Sequence, residues 1–267
     1  MMKPSALAVA AMAACSSLAP AATLIFEDDF ASGTAGWYSG GTSGTISNPV
    51  GTLSWNPTVA VAPAVIARQF AVTSLAVGET MRLSFSWTPQ SGGSGITRVG
   101  LFNVARAITG DGWNAATGSG GIGGSAAGYF SFFRDDSGTA NGARYESGSV
   151  STSTDLDAGT ELGSIVTQYD FASGTVYTVV FDVTLTSLTE IKTLLTVSSA
   201  GTTRMSVSGT HSGSGIVSGF NTVGIRANEN TTSRFDDVKL EVIPEPSSAL
   251  LAALGPVALA VRRRRQS

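Results

Sequence analysis

The chain has 267 residues, with 16 lysines and arginines, 19 aspartates and glutamates, one histidine and one cysteine. Setting aside five basic residues near the ends (Lys3, Arg262, Arg263, Arg264 and Arg265) and Glu245 leaves 11 basic and 18 acidic residues. The body then carries a net charge of about −7, which argues against nucleic acid and anionic membrane surfaces as partners. A lone cysteine, Cys15, excludes a disulfide framework, and a lone histidine, His211, excludes the usual zinc site.

Residues 1–22 carry one early charge, Lys3, then an apolar run, then Ala19-Pro20-Ala21 as a small-x-small cleavage site. This is the pattern of a secretory signal peptide and predicts export. The body, residues 23–243, has a period of two. Met81, Leu83, Phe85 and Trp87 alternate with Arg82, Ser84 and Ser86, and Tyr177, Val179, Phe181, Val183 and Leu185 repeat the pattern. Further strands are expected at 24–30, 65–72, 98–104, 128–134, 191–197, 203–208, 222–227 and 234–242. Residues 110–128 are glycine-rich and read as a long mobile surface loop, and 135–146 read as a hairpin connection. No interior segment reads as a long amphipathic helix. The expectation is one all-β domain, a single antiparallel β-sandwich of jelly-roll type.

Residues 244–267 read PEPSSALLAALGPVALAVRRRRQS. The apolar part spans about 15 residues, below the roughly 20 needed to cross a bilayer comfortably, and Gly255-Pro256 interrupts it. A short hydrophobic helix is expected there. The arginine cluster should stay cytoplasmic and leave the body outside. Pro244, Glu245 and Pro246, the apolar run and Arg262 to Arg265 together resemble the PEP-CTERM sorting signal of Gram-negative, exopolysaccharide-producing bacteria. That resemblance implies an exosortase-type processing enzyme as partner, transient inner-membrane insertion through the tail, and delivery to the cell envelope or extracellular matrix.

The first and last strands of the body carry a second resemblance. LIFEDDFASGTAGWY and FDDVKLEV are similar to the terminal strands of calcium-containing jelly-roll carbohydrate-binding modules. The stretch from Arg68 to Trp87 is similar to their paired strands around an Ala-Gly turn, and concanavalin-like sandwiches share these features. The resemblance implies neighbouring terminal strands and a structural Ca²⁺ held by Asp28 or Asp29, Asp236 and backbone carbonyls. Ala31 stands where such modules usually have a glutamate. Strand alternation places Asp28 with Phe26 and Phe30, and Asp236 with Val238, Leu240 and Val242. An inward carboxylate costs several kcal/mol unless it is paired or metal-bound. The alternative is that these acids cap strand ends in solvent or pair with Arg234 or Lys239.

Sugar binding needs exposed aromatic faces beside polar groups. Trp113 with Asp111 and Asn114 is the leading candidate, followed by Trp55 and Tyr38. Trp87 and Trp37 are expected in the core. No Glu-x-Asp-x-x-Glu run of laminarinase-type glycosidases is present, and His211 has no recognisable nucleophile or orienting acid. The chain therefore reads as an exported, non-catalytic surface or matrix protein associating with glycan or exopolysaccharide. A structural or adhesive protein without a small ligand is the first rival, and a glycoside hydrolase is a remote one.

Overall fold

The structure is a computed structural model. It describes residues 21–40, 45–48, 51–56, 65–90, 95–112, 126–135, 144–149, 160–164, 169, 171–227 and 232–245. Most of the expected leader, the apolar tail with the helix expected there, Pro246 and Arg262, Arg263, Arg264 and Arg265 lie outside them.

The strands in chain order are β1 (Thr23–Asp28), β2 (Trp37–Ser39), β3 (Thr45–Ser47), β4 (Leu53–Asn56), β5 (Val65–Ser74), β6 (Thr80–Pro89), β7 (Gly95–Asn103) and β8 (Ala127–Asp135). They continue with β9 (Arg144–Ser149), β10 (Thr160–Ser164), β11 (Tyr177–Ser187), β12 (Glu190–Ser199), β13 (Thr202–Ser212), β14 (Gly219–Ala227) and β15 (Ser233–Ile243). Among the described residues there is no helix.

Two antiparallel sheets face each other. One runs β13-β12-β11-β6-β15-β4-β3, with β1 also paired to β15, and the other runs β10-β9-β8-β7-β14-β5-β2. The all-β sandwich expected from the period-two pattern is what forms. Met81, Leu83, Phe85 and Trp87 of β6, and Val179, Phe181 and Val183 of β11, point inward with almost no exposure. They meet Val99 and Leu101 of β7, Tyr129 and Phe133 of β8, and Val223 and Ile225 of β14 in one continuous core. Trp87 sits in an aromatic cluster, its ring centroid 4.9 Å from Phe133, 5.1 Å from Phe171 and 5.5 Å from Tyr177. Its buried indole N–H donates to Ser233 Oγ at 3.2 Å, so the polar end is satisfied.

The terminal strands are neighbours, as the resemblance implied. Thr23 lies opposite Val242, and Asp28 lies opposite Val238. One expectation fails: β5 and β6 do not form a hairpin. β5 pairs with β14 and β2, whereas β6 pairs with β11 and β15. The Ala-Val-Gly turn carries the chain from one sheet to the other, with the Gly78 N–H donating to Leu185 O of the eight-stranded sheet at 2.7 Å. Beyond β15, Glu245 lies against this turn; a Cβ on Gly78 would fall 2.9 Å from Glu245 Oε2.

The seven-stranded sheet also buries part of its outer face. Val65, Phe102, Val104, Ala126 and Phe130 form a second, smaller cluster there. Residues 104–112 are pinned by three side chains. Asn221 bonds both the N–H and the C=O of Val104 at 2.8 Å, and Gln69 accepts from Ile108 N–H at 2.8 Å and donates to Arg106 O at 2.7 Å. Asp111 Oδ1 accepts the Ser39 N–H at 2.8 Å. The beginning of the expected mobile loop is thus held by ordinary polar bonds, while 113–125 lie outside the described residues.

Candidate functional site

The acids of the terminal strands separate into two environments. Asp28 points inward, as its alternation requires, and finds its compensation in the opposite sheet. Its Oδ2 pairs with Arg68 Nη1 at 2.5 Å and accepts the Trp37 indole N–H at 3.0 Å, while Oδ1 accepts the Phe30 N–H at 3.0 Å. The Arg68 guanidinium also lies 4.2 Å over the Phe26 ring. Asp29 is exposed and accepts the Ala31 N–H. Phe30 has left the strand, with φ at 54°, so Asp28 closes the turn that ends β1.

Asp236 faces the other way. The register of β15 against β6 shifts between Asp236 and Lys239, and Asp237 adopts φ of 50°. This bulge inserts an extra residue, so Phe235 and Val238 both point into the core and Asp236 turns outward. The expected inward Asp236 is therefore corrected, because simple alternation does not survive a bulge. Asp28, Asp29 and Asp236 do not fit a calcium site: both Asp28 oxygens are taken by nitrogen donors, and Asp236 opens onto the opposite face. No group of three or more His, Cys, Asp or Glu residues suited to a metal occurs among the described residues. The inward acid also pairs with neither Arg234 nor Lys239, the two partners weighed from sequence.

The candidate sugar contacts are dispersed. Tyr38 is half-buried on β2, and Asp111 is committed to the neighbouring Ser39 N–H. Trp55 lies on β4 opposite Ser233 and Ile46, and its side chain is outside the described set. Trp113 and Asn114 lie outside it altogether. Trp37 and Trp87 are in the core, as expected.

A different constellation emerges on the outer face of the eight-stranded sheet, a cleft of about 480 Å³. Ser86 and Thr88 of β6 form its floor, with Arg234 and Asp236 of β15 beside them. Asp237 and Thr52 close one side, and Gln90, Gly174 and Val176 form the rim. The floor follows from the pattern of β6: its apolar residues face the core, so the serines and threonines between them must face out. The Gly174 N–H donates to Pro89 O at 2.7 Å and the Gln90 N–H to Thr232 O at 2.9 Å, which fixes the rim to the ends of β6 and β15.

Asp236 Oδ1 accepts the Asp237 N–H at 2.9 Å, and Ser86 Oγ lies 3.4 Å from Asp237 Oδ2. Burial pushes the Asp236 carboxyl above its ordinary pKa of 3.8; the Asp237 N–H opposes this, and the charges of Asp237, Asp29 and Asp28 add to the rise. Arg234 Nε and Thr52 Oγ1 are buried and have no hydrogen-bond partner among the described residues. A buried polar group left in this state costs about 1–3 kcal/mol. The cleft therefore combines acceptors, a cation, hydroxyls and two polar atoms with unused bonding capacity. Sequence alternation placed Asp236 on the wrong face, and nothing in the linear pattern joined it to Thr52 or Gln90.

No family model matches the chain, and no curated protein matches it. Solved structures do match. A Bacillus subtilis protein of unknown function with a galectin-like fold superposes with a TM-score of 0.54 at 11% identity, covering 85% of this chain and 99% of that one. The fold is lectin-like. The carbohydrate recognition domain of Emp46p in its potassium-bound form aligns with a TM-score of 0.50 at 12% identity, covering 84% of this chain and 95% of that one. The alginate lyase Aly36B aligns with a TM-score of 0.48 at 11% identity, covering 83% and 98%. At such identities the likeness concerns the fold alone.

Proposed function

We propose that the chain is an exported cell-surface or extracellular-matrix protein, processed by an exosortase-type enzyme, whose sandwich associates with glycan or exopolysaccharide without catalysing a reaction. The observation that carries the glycan reading is the polar cleft on the outer face of a lectin-like sandwich. A sugar recognised by such a site exchanges its bonds to water for bonds to fixed hydroxyl, carboxylate and guanidinium groups. Arg234 and Thr52 supply bonding capacity that no described residue uses.

The non-catalytic part rests on how the reactive groups are spent. Asp236 and Asp237 are consecutive on one bulge, whereas a glycosidase pair flanks the scissile bond. His211, the lone histidine, bonds through Nδ1 to the Tyr129 hydroxyl at 3.1 Å, and that hydroxyl also accepts the Val217 N–H at 3.1 Å. Burial raises the Tyr129 phenol pKa, which favours a neutral structural role joining the two sheets. Calcium is not needed to account for Asp28, which Arg68 already neutralises.

The export reading rests on the leader and on the order of PEP triplet, apolar run and arginines. Affinity gel electrophoresis of the protein against a polysaccharide panel tests glycan association, with retardation in at least one gel as the expected result. No retardation in any gel, with persistent adhesion to cells, would replace this reading by the adhesive one. Intact-mass measurement in the native host should find the protein outside the cytoplasm without its last two dozen residues. A cytosolic species retaining them would refute the sorting part.

A further inference from the structure

Resting on the glycan reading, we infer that the cleft on the outer face of the eight-stranded sheet is the sugar-contacting site and that it takes an uncharged, hydroxyl-rich sugar rather than a uronate. The charged residues lining it are Arg234, Asp236 and Asp237, a local balance of one positive and two negative charges. The exposed Asp29 carboxylate adds to the negative potential at Asp236. A carboxylate, sulfate or phosphate entering this cleft would be repelled by two fixed carboxylates at short range. A neutral pyranose does not meet this repulsion.

The positive argument is geometric. A carboxylate offers two oxygens to the two O–H groups of a vicinal diol, and bonds to an ionised acceptor are about twice as strong as neutral ones. Asp236 is held for this by the bulge: its Oδ1 is tied to the Asp237 N–H, and its strand is flanked by β6. Thr88 and Ser86 supply hydroxyls that donate or accept as the ligand requires. Val176, 58% exposed at the rim, offers an apolar surface to the C–H face of the ring. The site costs the fold something, since it gathers like charges and holds buried polar atoms without a partner among the described residues. Such local costs are kept where a ligand uses them.

The test is affinity gel electrophoresis of the protein and of the double variant Asp236→Asn/Asp237→Asn in gels cast with dextran, galactomannan or alginate. Asparagine preserves the backbone here, because its amide oxygen still accepts the Asp237 N–H and asparagine tolerates positive φ. The unmodified protein should be retarded by dextran or galactomannan and not by alginate. The variant should lose about tenfold in affinity for the neutral polysaccharide, with a melting temperature no lower than the parent's. Equal or stronger retardation by alginate, or a variant as strongly retarded as the parent, would overturn the inference while leaving glycan association standing elsewhere on the protein. Absence of retardation in all three gels would overturn both.

Discussion

Replacing Arg68 by methionine should destabilise the sandwich by a predictable amount, because Arg68 is the counter-charge of a carboxylate held between the sheets. The Asp28 and Arg68 side chains are 14% and 23% exposed. Losing a bond to a charged group costs about 1.5–3 kcal/mol, and the guanidinium over Phe26 contributes about 0.5–1 kcal/mol more. Methionine recovers part of the packing on that ring, and Asp28 keeps the Trp37 and Phe30 donors, so the net loss should be about 2–3 kcal/mol. For a domain of this size that corresponds to a melting temperature lower by roughly 4–12 °C. The assay is urea denaturation of Arg68→Met, Asp28→Asn and the double variant, read as a cycle. A coupling energy above about 1 kcal/mol is expected, since each partner's loss already removes the other's reason for being buried. Additivity within about 0.5 kcal/mol would refute the pairing. So would a rise in stability on adding calcium that disappears in Asp28→Asn, because it would give that carboxylate a metal partner instead.

Asp236→Asn should stabilise the fold at neutral pH. The native state raises this acid's pKa, so ionising it favours unfolding; the variant's advantage is full above the raised pKa and vanishes as the pH falls through the ordinary value of 3.8. Denaturation midpoints of both proteins across the acid range check this, and an advantage that grows on acidification would contradict it. Gly128→Ala should cost more than about 3 kcal/mol or prevent folding, since overpacking against rigid backbone has nowhere to relax. The new Cβ would lie 2.2 Å from Leu101 O and 2.8 Å from Phe102 Cα. A soluble variant with an unchanged melting temperature would show that β7 and β8 do not approach so closely.

The long strands were legible because each has one buried face. In β6, β11 and β15 the apolar residues declare the pleat, and the expected segments fall within the observed strands to a few residues. β2, β3 and β4 went unrecognised because three or four residues are too few to show a period. β9 and β10 are rich in glycine and serine and resemble connections. Pairing was harder to read than strand existence. The segment from Arg68 to Trp87 looks like a hairpin, yet its halves belong to different sheets, since a short turn can join strands across the core as readily as along one sheet. The candidate site suffered most from the bulge at Asp237. One inserted residue inverts the parity of everything before it, so Asp236 seemed to need a buried counter-ion when it faces a cleft. Asp28 was read correctly as inward, but its partner lies 40 residues away in the other sheet, a proximity that no local pattern reveals.

The antiparallel pairing of β1 with β15 also sets a polarity. Thr23 and Val242 are register partners, so the described chain enters and leaves at one pole of the molecule. Arg234 and Asp236 stand toward the opposite end of β15, an 11-residue strand, roughly 20–26 Å from Val242 along its length. A tether at either terminus would hold the molecule by that pole, with the outer-face cleft displaced toward the other end of β15 and away from the supporting layer.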